Sequence, residues 1–270
     1  MSENPIIVKS ASRVLEILEF VVAHNATRPT FTAILNQFNI PKSSLSYLLQ
    51  ELVNQNYINY DPASRAYYPG LKLIQLSAAC LNNSNIFEEI LLGIKKLSDA
   101  TGETAHAAVL SGRYITYISK VQGKEYFGLR TLVGLQLPAH ATAVGKLLLS
   151  SLPESKFEEL MQGVTLEKIT ENTTSDIVRL RKELKIIQQQ GFALESQEST
   201  IGACCVAGPI FDNTNKMIAA ISVTFLASRA TQKRFQEYTL RVTAAAKSIS
   251  QLLGNSDTLP HPWLAEQKNE

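Results

Sequence analysis

Apolar positions in the first 70 residues follow three helical faces and then switch to a short alternation. Ala11, Val14, Leu15, Leu18, Val21 and Val22 recur at the three-and-four spacing of one helix, with Ser10 placed as its capping hydroxyl. The pattern stops before His24–Pro29. Thr30 can cap a shorter helix with Phe31, Ile34, Leu35 and Phe38 on one side. Asn39 tolerates left-handed backbone and Pro41 drives Ile40 out of helical angles, so the chain must turn there. The next helix turns Leu45, Leu48, Leu49, Leu52 and Val53 one way and Lys42, Ser43, Ser44, Ser46, Tyr47 and Gln50 the other. It ends near Gln55-Asn56. Tyr57–Tyr60 and Ala66–Tyr68 then flank the five residues Asp61 to Arg65, the pattern of a hairpin. Two helices with a tight turn and a following hairpin predict a winged helix-turn-helix, whose second helix enters the DNA major groove.

Pro69-Gly70 closes the hairpin, and residues 71–81 form an almost wholly apolar helix. Such a helix needs cover on every side, which predicts contact between chains. Asn82-Asn83-Ser84-Asn85 marks the clearest boundary. Beyond it the pattern changes to helix (86–100), strands over 104–110 and 114–121, and a third strand-like stretch over 126–137. Pro138–Thr142 leads into a helix from Ala143 to about Ser151, and another starts at Pro153-Glu154. Ser175 is placed to cap a long helix ending at Gln190, stopped by Gly191. Strands over 192–197, 204–211 and 217–226 precede a last helix from Thr231 to about Leu253. Helices that bracket and interrupt a mostly antiparallel sheet make an α+β domain of sensor type. The expected organisation is a DNA-binding domain over 8–70, linker helix and boundary over 71–85, an effector domain over 86–254, and a disordered tail over 255–270.

Composition narrows this picture little. The 270 residues are 45% hydrophobic and 19% charged with a formal net charge of +2. The first domain is itself neutral: Lys9, Arg13, Arg28, Lys42 and Arg65 balance Glu3, Glu16, Glu19, Glu51 and Asp61. Nucleic-acid domains often carry a basic surplus, so any DNA contact here rests on placement, with Lys42 at the helix start and Arg65 in the hairpin loop. Cys80, Cys204 and Cys205 have no metal-ligand spacing and fit a reducing compartment. With no long apolar run and no signal-peptide core, the expectation is a cytoplasmic protein without membrane contact.

Three local patterns resemble the IclR family of bacterial transcription regulators. The first is Ile40-Pro41-Lys42-Ser43-Ser44-Leu45-Ser46-Tyr47-Leu48-Leu49, similar to the family's turn and recognition helix. The second is Leu137-Pro138-Ala139-His140-Ala141-Thr142-Ala143-Val144-Gly145-Lys146. The third runs from Gly191-Phe192-Ala193-Leu194-Glu195 through Glu198, Gly202, Cys205, Ala207, Pro209 and Ile210 to Ala219-Ala220-Ile221-Ser222. The resemblance spans roughly residues 8–254. It implies a winged helix domain joined by a helix to a GAF-like effector domain in a dimer or tetramer. It also implies that Glu195 and Cys205 line the ligand cavity. Glu195 stands where the family often has Asp, and Gln197-Glu198 where it often has a Glu pair.

The residue types give their own reading of two sites. Ser43, Ser44, Ser46 and Tyr47 can bond phosphates and base edges, with Lys42 and Arg65 on phosphates. No Arg or Asn in the first two helical turns offers bidentate base contact, so direct readout is modest. The bland alternative is that the serines only cap and solvate the helix. For the second site, the helix opening at Ala143 and Val144 presents N–H groups that suit a carboxylate. Ser222 and Thr224, two apart on one strand, share a face. Core packing is the competing role for Cys205 and Ser222, and the favoured one for Cys204. His106, Tyr117, Arg130 and His140 could add polar contacts, with His140 better placed to fix the turn before the helix. Gly145-Lys146 lacks the glycine and hydroxyl of a phosphate loop, and no hydrolase or zinc-protease motif is present. No cofactor is called for. The expected function is a ligand-responsive transcription regulator that binds an operator and a small carboxylic acid. The competing readings are an enzyme or ligand-binding protein with a winged domain for assembly, and a winged domain used only for protein contact.

Overall fold

The computed structural model describes residues 8–82, 86–125, 128 and 131–256, in two compact units that meet in sequence between Asn85 and Ile86. The first unit carries α1 (Lys9–Ala23), α2 (Phe31–Gln37), α3 (Lys42–Asn54), β1 (Ile58–Asp61), β2 (Ala66–Pro69) and α4 (Leu71–Asn82). Ile17, Val21, Ile34, Ile40, Leu45, Leu49, Leu52 and Ile58 close its core, so each helix buries the face that its periodicity marks. Thr30 caps α2 by accepting from the Ala33 N–H at 3.3 Å.

Three local expectations fail here. α1 starts at Lys9 with Val8 as its N-cap, so Ser10 lies inside the helix. Asn39 keeps a negative φ, and the turn is made instead by extended backbone at Phe38 and Pro41. Asp61 pairs with Ala66 as the end of β1, which shortens the hairpin loop to residues 62–65, with Arg65 taking the left-handed conformation (φ 53°). In α4, Leu71, Ile74 and Leu76 are exposed, so the cover that its apolar sequence calls for is not supplied within the chain.

The second unit is built on a six-stranded antiparallel sheet in the order β5-β4-β3-β8-β7-β6. After α5 (Ile86–Thr101) come β3 (Thr104–Ser111), β4 (Tyr114–Val121) and a short β5 (Gln136–Pro138). The third expected strand is thus only three residues long. Residues 131–135 are not strand, and Tyr126, Phe127, Leu129 and Arg130 lie outside the described residues. A 3-10 turn (Ala139–Ala141) leads into α6 (Ala143–Ser150), then α7 (Glu154–Met161) and α8 (Ile177–Gln190). Asp176, not Ser175, caps α8, accepting from the Arg179 N–H at 2.7 Å. Gly191 (φ 77°) ends it in the left-handed conformation that glycine adopts without penalty. β6 (Ala193–Ser196), β7 (Ala203–Phe211), β8 (Met217–Leu226) and α9 (Gln232–Leu252) complete the unit, with Thr231 capping α9. Of the expected tail, Asn255 is tethered, its side chain donating to the Asp212 carbonyl at 2.8 Å, and residues 257–270 lie outside the described residues.

The sheet separates two cores. One face packs Ala105, Ala107, Cys204, Val206, Ile221, Val223 and Phe225 against α5 and α9. The other packs Ala108, Ile115, Ala193, Ala207 and Ala220 against α6, which in turn packs on α8. α6 approaches its own turn closely: a Cβ on Gly145 would stand 2.2 Å from the Ala139 carbonyl oxygen. Among the described residues, no helix is long and apolar enough to cross a membrane.

Candidate functional site

In the first unit, the groups proposed to meet DNA lie on one exposed surface of α3. Lys42, Ser43, Ser46 and Tyr47 are exposed and Ser44 is half-buried, while Leu45 and Leu49 anchor the opposite face. Tyr47 keeps 73% of its surface exposed, far more than packing against its own domain would leave. Arg65 is exposed at the hairpin tip. The loop before it is shaped by Asp61, which accepts from the Ala63 N–H at 2.9 Å and the Ser64 hydroxyl at 2.6 Å. These bonds hold the Asp61 carboxyl below its usual range. The bases of wing and helices are joined by a Thr30–Ala66 bridge and by Arg28 over the Tyr68 ring at 4.9 Å.

In the second unit, strand register assembles the other candidates. Glu195 pairs with Cys205, Cys205 with Thr224, and Ser222 with His106, so four strands contribute to adjoining rows on one face. That is the α6 face. The period-two rule sends Cys205, Ser222 and Thr224 there and Cys204 to the opposite core. The Cys205 Sγ lies 3.2 Å from the Thr224 hydroxyl, and Thr224 Oγ1 lies 3.5 Å from His106 Nδ1. His106 Nε2 shares a 2.7 Å hydrogen bond with the Thr131 hydroxyl, and its ring centre is 4.9 Å from that of Tyr117.

Burial, with the charge of Lys120 added, lowers the His106 pKa to about 3, so its ring is neutral near pH 7. Burial likewise pushes the Tyr117 hydroxyl upward. The Cys205 thiol rises well above its usual range through burial and the neighbouring Glu195 carboxyl.

Glu195 is the most unusual group of the cluster. Its side chain is buried, and Oε1 accepts from the backbone N–H of Glu198 at 2.5 Å and of Ser199 at 3.2 Å. Oε2 is buried without a hydrogen-bond partner in the structure. Burial raises the carboxyl to about pH 7, against the lowering pull of the two N–H donors and the nearby thiol. A buried acceptor that lacks a partner costs free energy, which a polar ligand can recover.

α6 packs on the same face. Thr142 caps it by accepting from the Gly145 N–H at 3.0 Å, which leaves Ala143 and Val144 as first-turn donors without an intrahelical acceptor. His140 is not part of the cluster: its Nε2 bonds the Glu167 carbonyl at 2.9 Å and ties down the turn before α6. Arg130 lies outside the described residues. Gln197, with φ 60°, accepts from the Gly202 N–H at 3.0 Å and shapes the turn after β6.

The residue that sequence reasoning missed is Lys146. Its side chain is fully buried, with Nζ 2.5 Å from Glu198 Oε1 and 2.6 Å from Glu183 Oε1. The available signal was one lysine in the otherwise buried, largely apolar helix of residues 143–150.

A winged helix-turn-helix followed by an α+β unit with a buried polar cluster defines a one-component transcription regulator, with one module for DNA and one for a small molecule. The family assignment is direct: residues 10–62 match the IclR helix-turn-helix domain and residues 78–251 the C-terminal domain of bacterial IclR transcriptional regulators. The chain belongs to the IclR family of ligand-responsive transcription regulators. It is 32% identical over 248 residues to the HTH-type transcriptional regulator XynR of Escherichia coli K12, covering 92% of this chain and 98% of XynR. The crystal structure of the Thermotoga maritima IclR superposes with a TM-score of 0.70 at 29% identity, over 92% of this chain and 100% of that one. An IclR homolog of Microbacterium hydrocarbonoxydans, complexed with 4-hydroxybenzoate, shares the fold with a TM-score of 0.78 at 21% identity, over 90% of this chain and 98% of that one. The similar proteins are regulators, not enzymes.

Proposed function

We propose that this regulator senses a small hydroxylated or aromatic carboxylic acid in the cluster of Glu195, Cys205, Ser222 and Thr224 beneath the N-terminus of α6. The observation that carries the reading is the buried, unpartnered Oε2 of Glu195 on the sheet face against which α6 packs. The Ala143 and Val144 N–H groups suit an anionic end of the ligand. The hydroxyls and the Glu195 carboxyl suit a polar group elsewhere on it. The Microbacterium homolog bound to 4-hydroxybenzoate supports this ligand class.

Lys42, Ser43, Ser44, Ser46, Tyr47 and Arg65 form the DNA contact. The chain works as a dimer or tetramer, in which a second copy covers Leu71, Ile74 and Leu76. Two recognition helices then meet half-sites about one DNA turn apart. Ligand alters operator affinity only by binding two arrangements of the protein unequally, so operator must alter ligand affinity by the same factor, typically about 5–150-fold.

Fluorescence anisotropy on the DNA upstream of its own gene, with and without a panel of carboxylic acids that includes 4-hydroxybenzoate, tests the reading. The expected result is an acid-dependent change in operator affinity. Binding of phosphorylated compounds but of no acid overturns the ligand class. In the same assay Lys42→Ala and Arg65→Ala should each reduce the salt slope by roughly one, on operator and random DNA alike. Ser46→Ala or Tyr47→Ala should change the operator-to-random ratio instead.

A further inference from the structure

The turn after β6 separates two environments. On its inner side lies Glu195. On its outer side Ser196, Gln197 and Glu198 help to line an open groove of about 560 Å³. A wall between a groove and a buried site must be held, and Glu198 is where it is held. Its backbone N–H reaches inward to Glu195 Oε1. Its carbonyl accepts from the Thr173 hydroxyl at 2.7 Å. Its carboxylate accepts from Lys146 Nζ at 2.5 Å, and at 3.4 Å from the Thr174 N–H. Lys146 stands one turn into α6, the helix whose first turn carries Ala143 and Val144. The Lys146–Glu198 pair therefore joins the two halves of the effector site, the helix N-terminus and the carboxylate turn.

Stability alone does not account for this pair. Burying an ammonium and the Glu198 carboxylate, with Glu183 half-buried beside them, forfeits hydration, and apolar side chains of similar volume are commonly as stable or more so. What apolar packing cannot supply is a directional bond that fixes where the Glu198 N–H points, and through it the rotation of the Glu195 carboxyl.

We propose that Lys146 is a positioning residue of the effector site: by clamping Glu198 it orients the turn that holds Glu195, and so sets the direction in which Glu195 Oε2 meets a ligand. This rests on the effector-site reading above. The ligand touches Glu195 and the start of α6, while Lys146 stays behind both. A change in the clamp should alter the behaviour of Glu195 without altering the rest of the fold.

The test uses the full-length protein labelled with carboxyl-13C glutamate, with Glu195 assigned by its loss in Glu195→Gln. Since Lys146→Met alone leaves Glu198 buried and unpaired, the main variant is Lys146→Met/Glu198→Gln, which removes both charges of the clamp and leaves Glu183, half-exposed, to solvent, with Glu198→Gln as a second. Amide hydrogen exchange at Glu198 and Ser199 should quicken about tenfold or more in the double variant, while strand amides of β7 and β8 keep their protection. The Glu195 titration midpoint should fall by about one pH unit as water reaches the carboxyl, with the loss of the Glu198 anion and of the Lys146 cation acting in opposite directions. Uniform loss of protection, or an unchanged midpoint with unchanged exchange at Glu198 and Ser199, overturns the proposal. Calorimetry with 4-hydroxybenzoate on the wild type runs in parallel. No heat there counts against the ligand reading alone, because the carboxyl and amide signals decide the clamp without any ligand.

Discussion

Both faces of the six-stranded sheet are buried against apolar helices, but one of them carries a row of polar side chains among its apolar ones. Towards α5 and α9 the strands present Ala105, Val206, Ile221, Val223 and Phe225, with Phe225 edge-on to Phe235 and Tyr238 at centroid distances of 5.3 Å and 5.0 Å. Towards α6 the alternate residues of the same strands are His106, Cys205, Ser222 and Thr224, next to Glu195. One face is a finished core. The other encloses polar groups whose bonding is incomplete at Glu195 Oε2. A protein tolerates buried polar groups of that kind at a cost, and the cost is concentrated where a ligand can relieve it. Burial alone does not separate scaffold from site here. A row of polar side chains on adjoining strands, with one carboxylate oxygen left unmet among them, does.

Substitutions on the two faces should act most strongly on stability. On the apolar face Phe225→Ala should destabilise the second unit by about 3–5 kcal/mol through lost packing and a residual cavity, measured by urea unfolding. On the polar face Lys146→Met should cost a similar ~3–5 kcal/mol for a different reason, because Glu198 is left buried without its cation. The two are told apart by adding Glu198→Gln, which should restore most of the Lys146→Met loss and none of the Phe225→Ala loss. Failure of that rescue would make the polar face ordinary core.

Next comes pH. The folded Glu195 pKa of about 7 lies above the usual carboxyl value of 4.5. The folded protein therefore holds a proton that the unfolded chain has released between those values, and stability from this group falls as pH rises through that window. Glu195→Gln keeps an acceptor for the Glu198 and Ser199 N–H groups but cannot ionise. It should gain on wild type by on the order of 2–3 kcal/mol between pH 4.5 and 8. Parallel stability curves for the two proteins would show that Glu195 ionises freely.

The smallest effect comes from two neighbours. Cys204→Ala should cost about 1 kcal/mol of stability and leave ligand affinity alone, since Cys204 faces the apolar core. Cys205→Ala should change stability less and ligand affinity more, by calorimetry with whichever acid the anisotropy panel identifies. Equal effects from both would erase the distinction between the faces.

Much of this was legible in the residues themselves. Apolar periodicity marked α1, α2, α3 and α5, Thr30 was readable as a cap, and Gly191 as a stop, because these signals are local: a hydroxyl, a missing Cβ, a repeat of 3.6 or 2. The same locality explains the misses. Ser10 and Ser175 have the chemistry of caps, but Val8 and Asp176 hold those positions, since the start of a helix depends on where its buried face must lie. Strand alternation placed Ser222 with Thr224 and set Cys205 apart from Cys204. What remained for the tertiary structure was everything that depends on distance across the chain. Register set Glu195 beside Cys205 and Thr224, and packing left Glu195 Oε2 without a partner. The meeting of Lys146 with carboxylates 37 and 52 residues away in sequence belongs there too. Sequence fixes which groups each element can offer. Only the folded chain decides which of them lose water together, and the chemistry of this site follows from that.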